Sequence, residues 1–207
     1  EIKLLKSFNF ITMKPIIYVA NVNEEDGETF IRDLAGQGCD IIFTTSYGYG
    51  EYAKKVAKEY PDIEFCQATC SNTDEDTPNY HTFMGKIHEG RYVAGVVAGL
   101  KIKEMIENKE ISENNAVIGY VGAFPNAEVI SGFTSFFLGA RSVEPAVTMK
   151  VRYTESWGNY GLEKICANKL IDEGCVIISQ HSDTIGPAVA CENAETDHPV
   201  YHVGYNQ

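Results

Sequence analysis

The alternation of two hydrophobic periods constrains this chain more than any other feature. Short runs of β-branched and apolar residues, bounded by turn residues, alternate with longer stretches in which apolar side chains recur at helical spacing. The pattern predicts strands at 15–22, 40–45, 63–68, 116–122, 146–153, 175–179 and 200–203. It predicts helices at 27–36, 50–60, 86–108, 127–140, 160–173 and 186–193. Single residues set some of the boundaries. Gly38 and Gly174 lie just past two helix ends, where the chain turns into the left-handed region. Pro61 stops the second helix, because the residue before a proline is pushed out of the helical conformation. Gly95 and Gly99, one turn apart in the long helix, let another element pack close. Residues 40–45 are almost continuously apolar, as suits a parallel strand covered on both faces.

Strand–helix units at this spacing imply right-handed crossovers and parallel sheets. Residues 71–78 are polar and carry no core pattern, so they divide the chain into two such units, 1–76 and 77–207. The expected fold class is α/β, with two doubly wound parallel-sheet lobes and a cleft between them. Ligands of such sheets bind at the carboxyl ends of the strands, so the loops there are the candidate site. Residues 1–8 read as the end of an amphipathic helix, and 199–207 as a strand with the start of a loop. The chain is therefore expected to be an internal part of a longer protein, with both lobes partial.

Composition excludes several functions. With 17 basic and 29 acidic residues the formal charge is −12, the wrong sign for binding nucleic acid or an anionic membrane surface. A hydrophobic fraction of 44% is that of a packed protein rather than a disordered one. No apolar run approaches the roughly 18–20 residues that span a bilayer, and no signal-peptide pattern is visible. The histidines do not make a metal site. His198 and His202 fall in an extended segment, which separates them by about 13 Å. The six cysteines include no C-x-x-C pair, and Cys39 and Cys175 read as small hydrophobes opening strands. A nucleophile elbow and a phosphate-binding loop are both missing. No cofactor or metal is expected, and a binding protein is favoured over an enzyme.

The strand-end loops carry the candidate ligand residues. The first, 44–53, includes Ser46, Tyr47 and a literal G-x-G-x-x-A. It has three readings: a dinucleotide fingerprint, glycines permitting a tight turn, or a polar cradle at a helix start. The dinucleotide reading lacks its acid, since Ala68, Thr69 and Cys70 stand where the ribose-binding carboxylate belongs. The loop after residue 121 presents Phe124. The next, 154–159, holds Trp157, the single tryptophan, with Asn159. Among Gly, Asn and Ser, that indole either stacks on a ligand face or packs. The loop 179–187 offers Gln180, His181, Ser182, Asp183 and Thr184 in a row, and the last begins Gly204-Tyr205-Asn206. Asp183 and His181 could pair catalytically, but no nucleophile is placed beside them, and polar ligand contacts or surface are favoured. Neutral donors, acceptors and aromatics together suit an uncharged polar ligand such as a nucleoside or a sugar.

Several stretches in this order resemble the basic membrane protein (Bmp/Med) family of ABC-transporter substrate-binding lipoproteins, which includes the PnrA-like purine nucleoside receptors. They are Ile31-Arg-Asp-Leu-Ala-Gly-Gln-Gly38 followed by Asp40-Ile-Ile-Phe43, Ala57-Lys-Glu-Tyr-Pro-Asp-Ile-Glu-Phe65, Gly90-Arg-Tyr-Val-Ala-Gly95, Ile118-Gly-Tyr-Val-Gly122 and Phe137-Leu-Gly-Ala140. The resemblance runs from about residue 16 to 207 and implies the two-lobed periplasmic binding protein type I fold, with hinge strands joining the lobes. It implies a bacterial, extracytoplasmic, lipid-anchored protein that delivers a nucleoside-like solute to an ABC permease. Trp157 matches the family's strand-end aromatic, and Asn79 an Asn ahead of the long helix. Asn206 stands where the family has an Asp, which removes a charge from the ribose site. The segment Gly174-Cys-Val-Ile-Ile-Ser-Gln-His-Ser-Asp-Thr184 looks like a sub-branch of the family. Two other functions fit the same fold class: the sensor domain of a transcription regulator, which would need a basic helix-turn-helix upstream, and an α/β enzyme acting on nucleosides, which would turn its ligand over.

Overall fold

A computed structural model describes residues 26–73 and 75–205. The strand expected at 15–22, the helix end at 1–8 and Asn206 lie outside the described residues. The chain forms two compact units, Glu1–Gly85 and Lys86–Gln207.

In the first unit, α1 (Gly27–Gly36), β1 (Ile41–Thr44), α2 (Gly50–Glu59), β2 (Glu64–Ala68) and β3 (Tyr80–Phe83) follow in order, with a 3₁₀ turn at Tyr47–Tyr49 leading into α2. The sheet is parallel, in the order β1-β2-β3. Ile31 and Ala35 of α1 and Ala53, Val56 and Ala57 of α2 pack with Ile42, Phe65 and Tyr80 of the three strands. The unit boundary falls after Gly85 rather than after residue 76, because residues 80–83 pair with β2. The sequence pattern does not reveal this strand, and the second lobe expected from residue 77 begins nine residues later, at Lys86. β1 is also less covered than its apolar run implies: Phe43 is exposed and meets the Phe83 ring edge-on at 6.3 Å.

Asn79 belongs to the scaffold of this unit. Its Nδ2 donates to the carbonyls of Ala57, Tyr60 and Ile63 at 2.8–3.0 Å, closing the end of α2 against the start of β2. Its ligand role is corrected accordingly, since the amide is engaged by backbone. Gly50 opens α2 because a Cβ there would stand 2.4 Å from Cys70 Sγ, so this glycine of the G-x-G-x-x-A run serves close packing.

In the second unit, α3 (Ile87–Glu107), β4 (Val117–Gly122), α4 (Ala127–Val143), β5 (Thr148–Tyr153), α5 (Tyr160–Asp172), β6 (Ile177–His181), α6 (Gly186–Glu192) and β7 (Tyr201–Val203) alternate. All four strands are parallel, in the order β5-β4-β6-β7. The period-2 alternation of a strand assigns the two faces. Ile118, Tyr120 and Ile177 pack with Ala98, Ile102 and Met105 of α3 and with Phe136 and Ala140 of α4. Val121 and Ile178 pack with Ala167 and Leu170 of α5 and with Ala190 and Cys191 of α6. The unit is therefore doubly wound, as expected. β6 starts two residues later than predicted. The chain leaves α5 through Gly174 (φ 88°), Cys175 N–H bonds Leu170 O at 3.0 Å, and the paired residues begin at Ile177.

α3 and α4 touch backbone to backbone. A Cβ at Gly95 would lie 2.0 Å from Phe136 O, one at Gly99 2.5 Å from Ala140 O, and one at Gly139 2.1 Å from Tyr92 O. Each contact exists only because the residue has no side chain. Replacing Gly95 with Leu should lower the unfolding free energy by about 2 kcal/mol or more in urea titrations. Gly90→Ala, on the same helix with nothing within 4 Å, should raise it by roughly 0.5–1 kcal/mol.

Candidate ligand site

The parallel order of β5, β4, β6 and β7 brings four carboxyl ends to one edge of the sheet. Each supplies a ring. Phe124 follows β4, Trp157 follows β5, His181 closes β6 and Tyr205 follows β7. Phe124 and Trp157 lie with ring centroids 5.8 Å apart, Trp157 and His181 6.5 Å, and His181 and Tyr205 4.1 Å at 36°. The rings form one continuous row, and Trp157 is half-buried within it.

The loops carrying the rings are tied to the fold by polar groups, among them Asn159, Ser182 and Thr184, which are expected from the sequence to face ligand. Thr154 Oγ donates to Ser156 O at 2.7 Å, and Asp183 N–H donates to Trp157 O at 2.8 Å, which joins the β5 and β6 loops. Asn159 is the N-cap of α5, accepting from Leu162 N–H at 3.0 Å. The fully buried Glu163 carboxylate gathers three donors: Ser182 Oγ at 2.8 Å, Thr184 N–H at 3.2 Å and Asn159 N–H at 3.1 Å. Gln180 Nε2 donates to the carbonyls of Ser182 and Thr184 at 2.7 and 2.8 Å, while its Oε1 pairs with His202 Nε2 at 2.8 Å. Asn159 and Ser182 thus act as structure, with Thr184 engaged through its backbone. Asp183 is exposed at the edge of the row. Ser46 and Tyr47 lie in the first unit: the Ser46 carbonyl accepts from Gln67 Nε2 at 2.8 Å, and Tyr47 is exposed.

His181 is fully buried, not a loop contact. Its ring fills the space left by Gly132, where a Cβ would stand 2.5 Å from Nδ1. Nδ1 lies 3.3 Å from Tyr120 Oη. Burial pushes the Tyr120 phenol up to about 12, so it stays protonated beside the imidazole. Nε2 lies 3.6 Å from Glu128 Oε1 and makes no hydrogen bond. Tyr205 Oη donates to the same oxygen at 3.4 Å. Arg91, reaching from α3 beneath the row, donates to Ser179 Oγ and to Gly204 O at 3.2 Å, and stacks on Tyr120 and Phe136. Ser179 Oγ donates on to Val203 O at 2.9 Å, so the end of β7 is fixed and Tyr205 is delivered to His181. Sequence reading passed over Glu128 and Arg91. The only signal for Glu128 was an acid in the first turn of a helix after a strand-end loop.

The sequence profile of the family described as Bmp, ABC transporter substrate-binding protein PnrA-like, matches residues 5–207. The chain belongs to the Bmp family. It is 39% identical over 189 residues to a putative ABC transporter glucose-binding protein of Haloferax volcanii, covering 91% of this chain and 44% of that protein. It is equally 39% identical over 168 residues to a purine-binding protein of Brucella abortus, covering 81% of this chain and 44% of the relative. The chain thus spans less than half the length of these relatives. Among solved structures, an ABC transporter solute-binding protein of Aeropyrum pernix superposes with a TM-score of 0.72 at 15% identity, covering 93% of this chain and 51% of that one. That likeness confirms the parallel α/β architecture of the periplasmic binding protein type I kind. The family is one of substrate-binding proteins rather than enzymes.

Beneath the site, burial and the nearby Arg91 hold the His202 imidazole below its ordinary value of 6.5. The folded state therefore binds fewer protons than the unfolded chain in the acid range. Its contribution to stability is complete above about pH 6.5 and is lost as pH falls below that. Urea titrations from pH 7.5 to 5 should show wild type losing stability faster than His202→Gln, which keeps a donor for Gln180 but cannot titrate. Parallel curves would contradict this.

Proposed function

We propose that this chain is the ligand-gripping part of an extracytoplasmic substrate-binding protein serving an ABC importer, and that its solute is nucleoside-like, with a purine as the gripped moiety. Family membership supports the transport role. Delivery to a permease and tethering by a lipid anchor belong to the same reading. Among the described residues no helix is long and apolar enough to cross a membrane.

The observation that carries the ligand class is the row of rings with Trp157 at its centre. The two 39% relatives are named for different solutes, a purine and glucose, so the choice rests on chemistry. A sugar presents hydroxyls in every direction and needs several uncommitted hydrogen-bonding side chains. Here Gln180, Ser182 and Asn159 are engaged in the scaffold, while the rings of Phe124, Trp157 and Tyr205 stay partly accessible. A flat heterocycle matches that surface.

Isothermal calorimetry of the full-length protein against adenosine, guanosine, inosine, adenine and glucose tests the reading. A purine nucleoside should bind at micromolar Kd or tighter without turnover. Trp157→Ala should weaken it by roughly 10–100-fold, the loss of one stacked base. Heat with glucose alone, or with none of the panel, would overturn the nucleoside assignment.

A further inference from the structure

We propose that Glu128 reads the edge of the bound heterocycle, its second carboxylate oxygen accepting an in-plane N–H, while the buried His181 holds the carboxylate in position. This rests on the purine reading above and assigns that site its polar specificity residue.

Glu128 sits in the first turn of α4, where the helix dipole favours a carboxylate. Its side chain is mostly buried, with 11% left accessible, and it stands beside the ring row. Both neighbours crowd one oxygen. Tyr205 Oη donates to Oε1 at 3.4 Å, and His181 Nε2 faces the same Oε1 at 3.6 Å. Among the described residues Oε2 accepts no hydrogen bond. That oxygen is not one of the enclosed atoms without a partner, so it keeps its access to solvent and a ligand N–H can take the place of water there.

The unpartnered Nε2 of His181 is the second observation. A fully buried imidazole nitrogen with no hydrogen bond is rare in a finished core. The ring is nevertheless built in with care: Gly132 makes its space, Tyr120 addresses Nδ1 and Tyr205 covers its face. That arrangement leaves Nε2 facing Glu128 Oε1 at 3.6 Å. His181 is thus a positioning residue, and Glu128 touches the ligand. A carboxylate accepts but does not donate, so the site selects heterocycles that keep an N–H on the edge presented to it.

Paired ligands test this in full-length protein: adenosine against N6,N6-dimethyladenosine, and inosine against 1-methylinosine, each by calorimetry. Wild type should prefer the N–H-bearing member of at least one pair by roughly 10–100-fold, the worth of a hydrogen bond to a charged acceptor. Glu128→Leu should bring that ratio near one, and Glu128→Gln should keep part of it. His181→Phe preserves a ring against Tyr205 but removes Nε2, and should lower the ratio without abolishing binding of the methylated ligand. Because the readout is a ratio within one variant, partial loss of folded protein does not change it. A ratio unchanged in Glu128→Leu, or a wild type that binds both members of each pair alike, would overturn the inference while leaving the purine reading intact. No binding of any purine to wild type would overturn both.

Discussion

The parallel alignment of β5, β4, β6 and β7 is the constraint on which the site depends. Four strands running the same way must end at the same edge, so residues far apart in sequence become neighbours there. Phe124, Trp157, His181 and Tyr205 touch for that reason alone. The alignment depends in turn on close approach at the centre of the sheet. Gly119 of β4 has Ile178 and Leu170 pressed against it, and a Cβ would stand 2.6 Å from the Ile178 side chain. Behind the sheet, the glycine contacts between α3 and α4 bring Arg91 under Tyr120, and through Ser179 and Gly204 it fixes the end of β7.

Polar side chains in this unit divide their labour by burial. Glu163, Gln180 and Ser182 are enclosed and mutually paired, which holds the β5 and β6 loops in one geometry. A buried carboxylate with three donors is tolerable, whereas one with a donor removed is not. Of the rings, His181 is enclosed with them, while Phe124, Trp157 and Tyr205 keep part of their surface accessible. Preorganisation of this kind reduces the ordering that binding would otherwise require.

Much of the fold could be read from single residues. Gly174 marks the end of 160–172 in the sequence, and in the structure it takes the left-handed conformation that ends that helix, whereas Asn159, read there as a ligand residue, is its N-cap. β3 escaped because Tyr-His-Thr-Phe is too short to show a period and follows a polar stretch. The shift in β6 has a different cause: Ser179, Gln180 and His181 look like a loop, yet they are buried and paired within the sheet. The same blindness misassigned Asn79, because a side chain bonded to backbone carbonyls is indistinguishable in sequence from one bonded to ligand. The placement of Trp157 and Phe124 in strand-end loops was legible, because the loops are bounded by strand and helix patterns on either side. Glu128 was not, since its importance comes from His181 and Tyr205, which reach it only through the fold.

The account stands or falls on Trp157 lying against the solute. Its fluorescence is the most direct probe, read as the difference between the full-length protein and its Trp157→Phe variant during titration with a purine nucleoside. The account predicts a saturable change in that difference, with a midpoint matching the calorimetric Kd. Calorimetric binding with an unaltered indole signal would place the ligand elsewhere and contradict it.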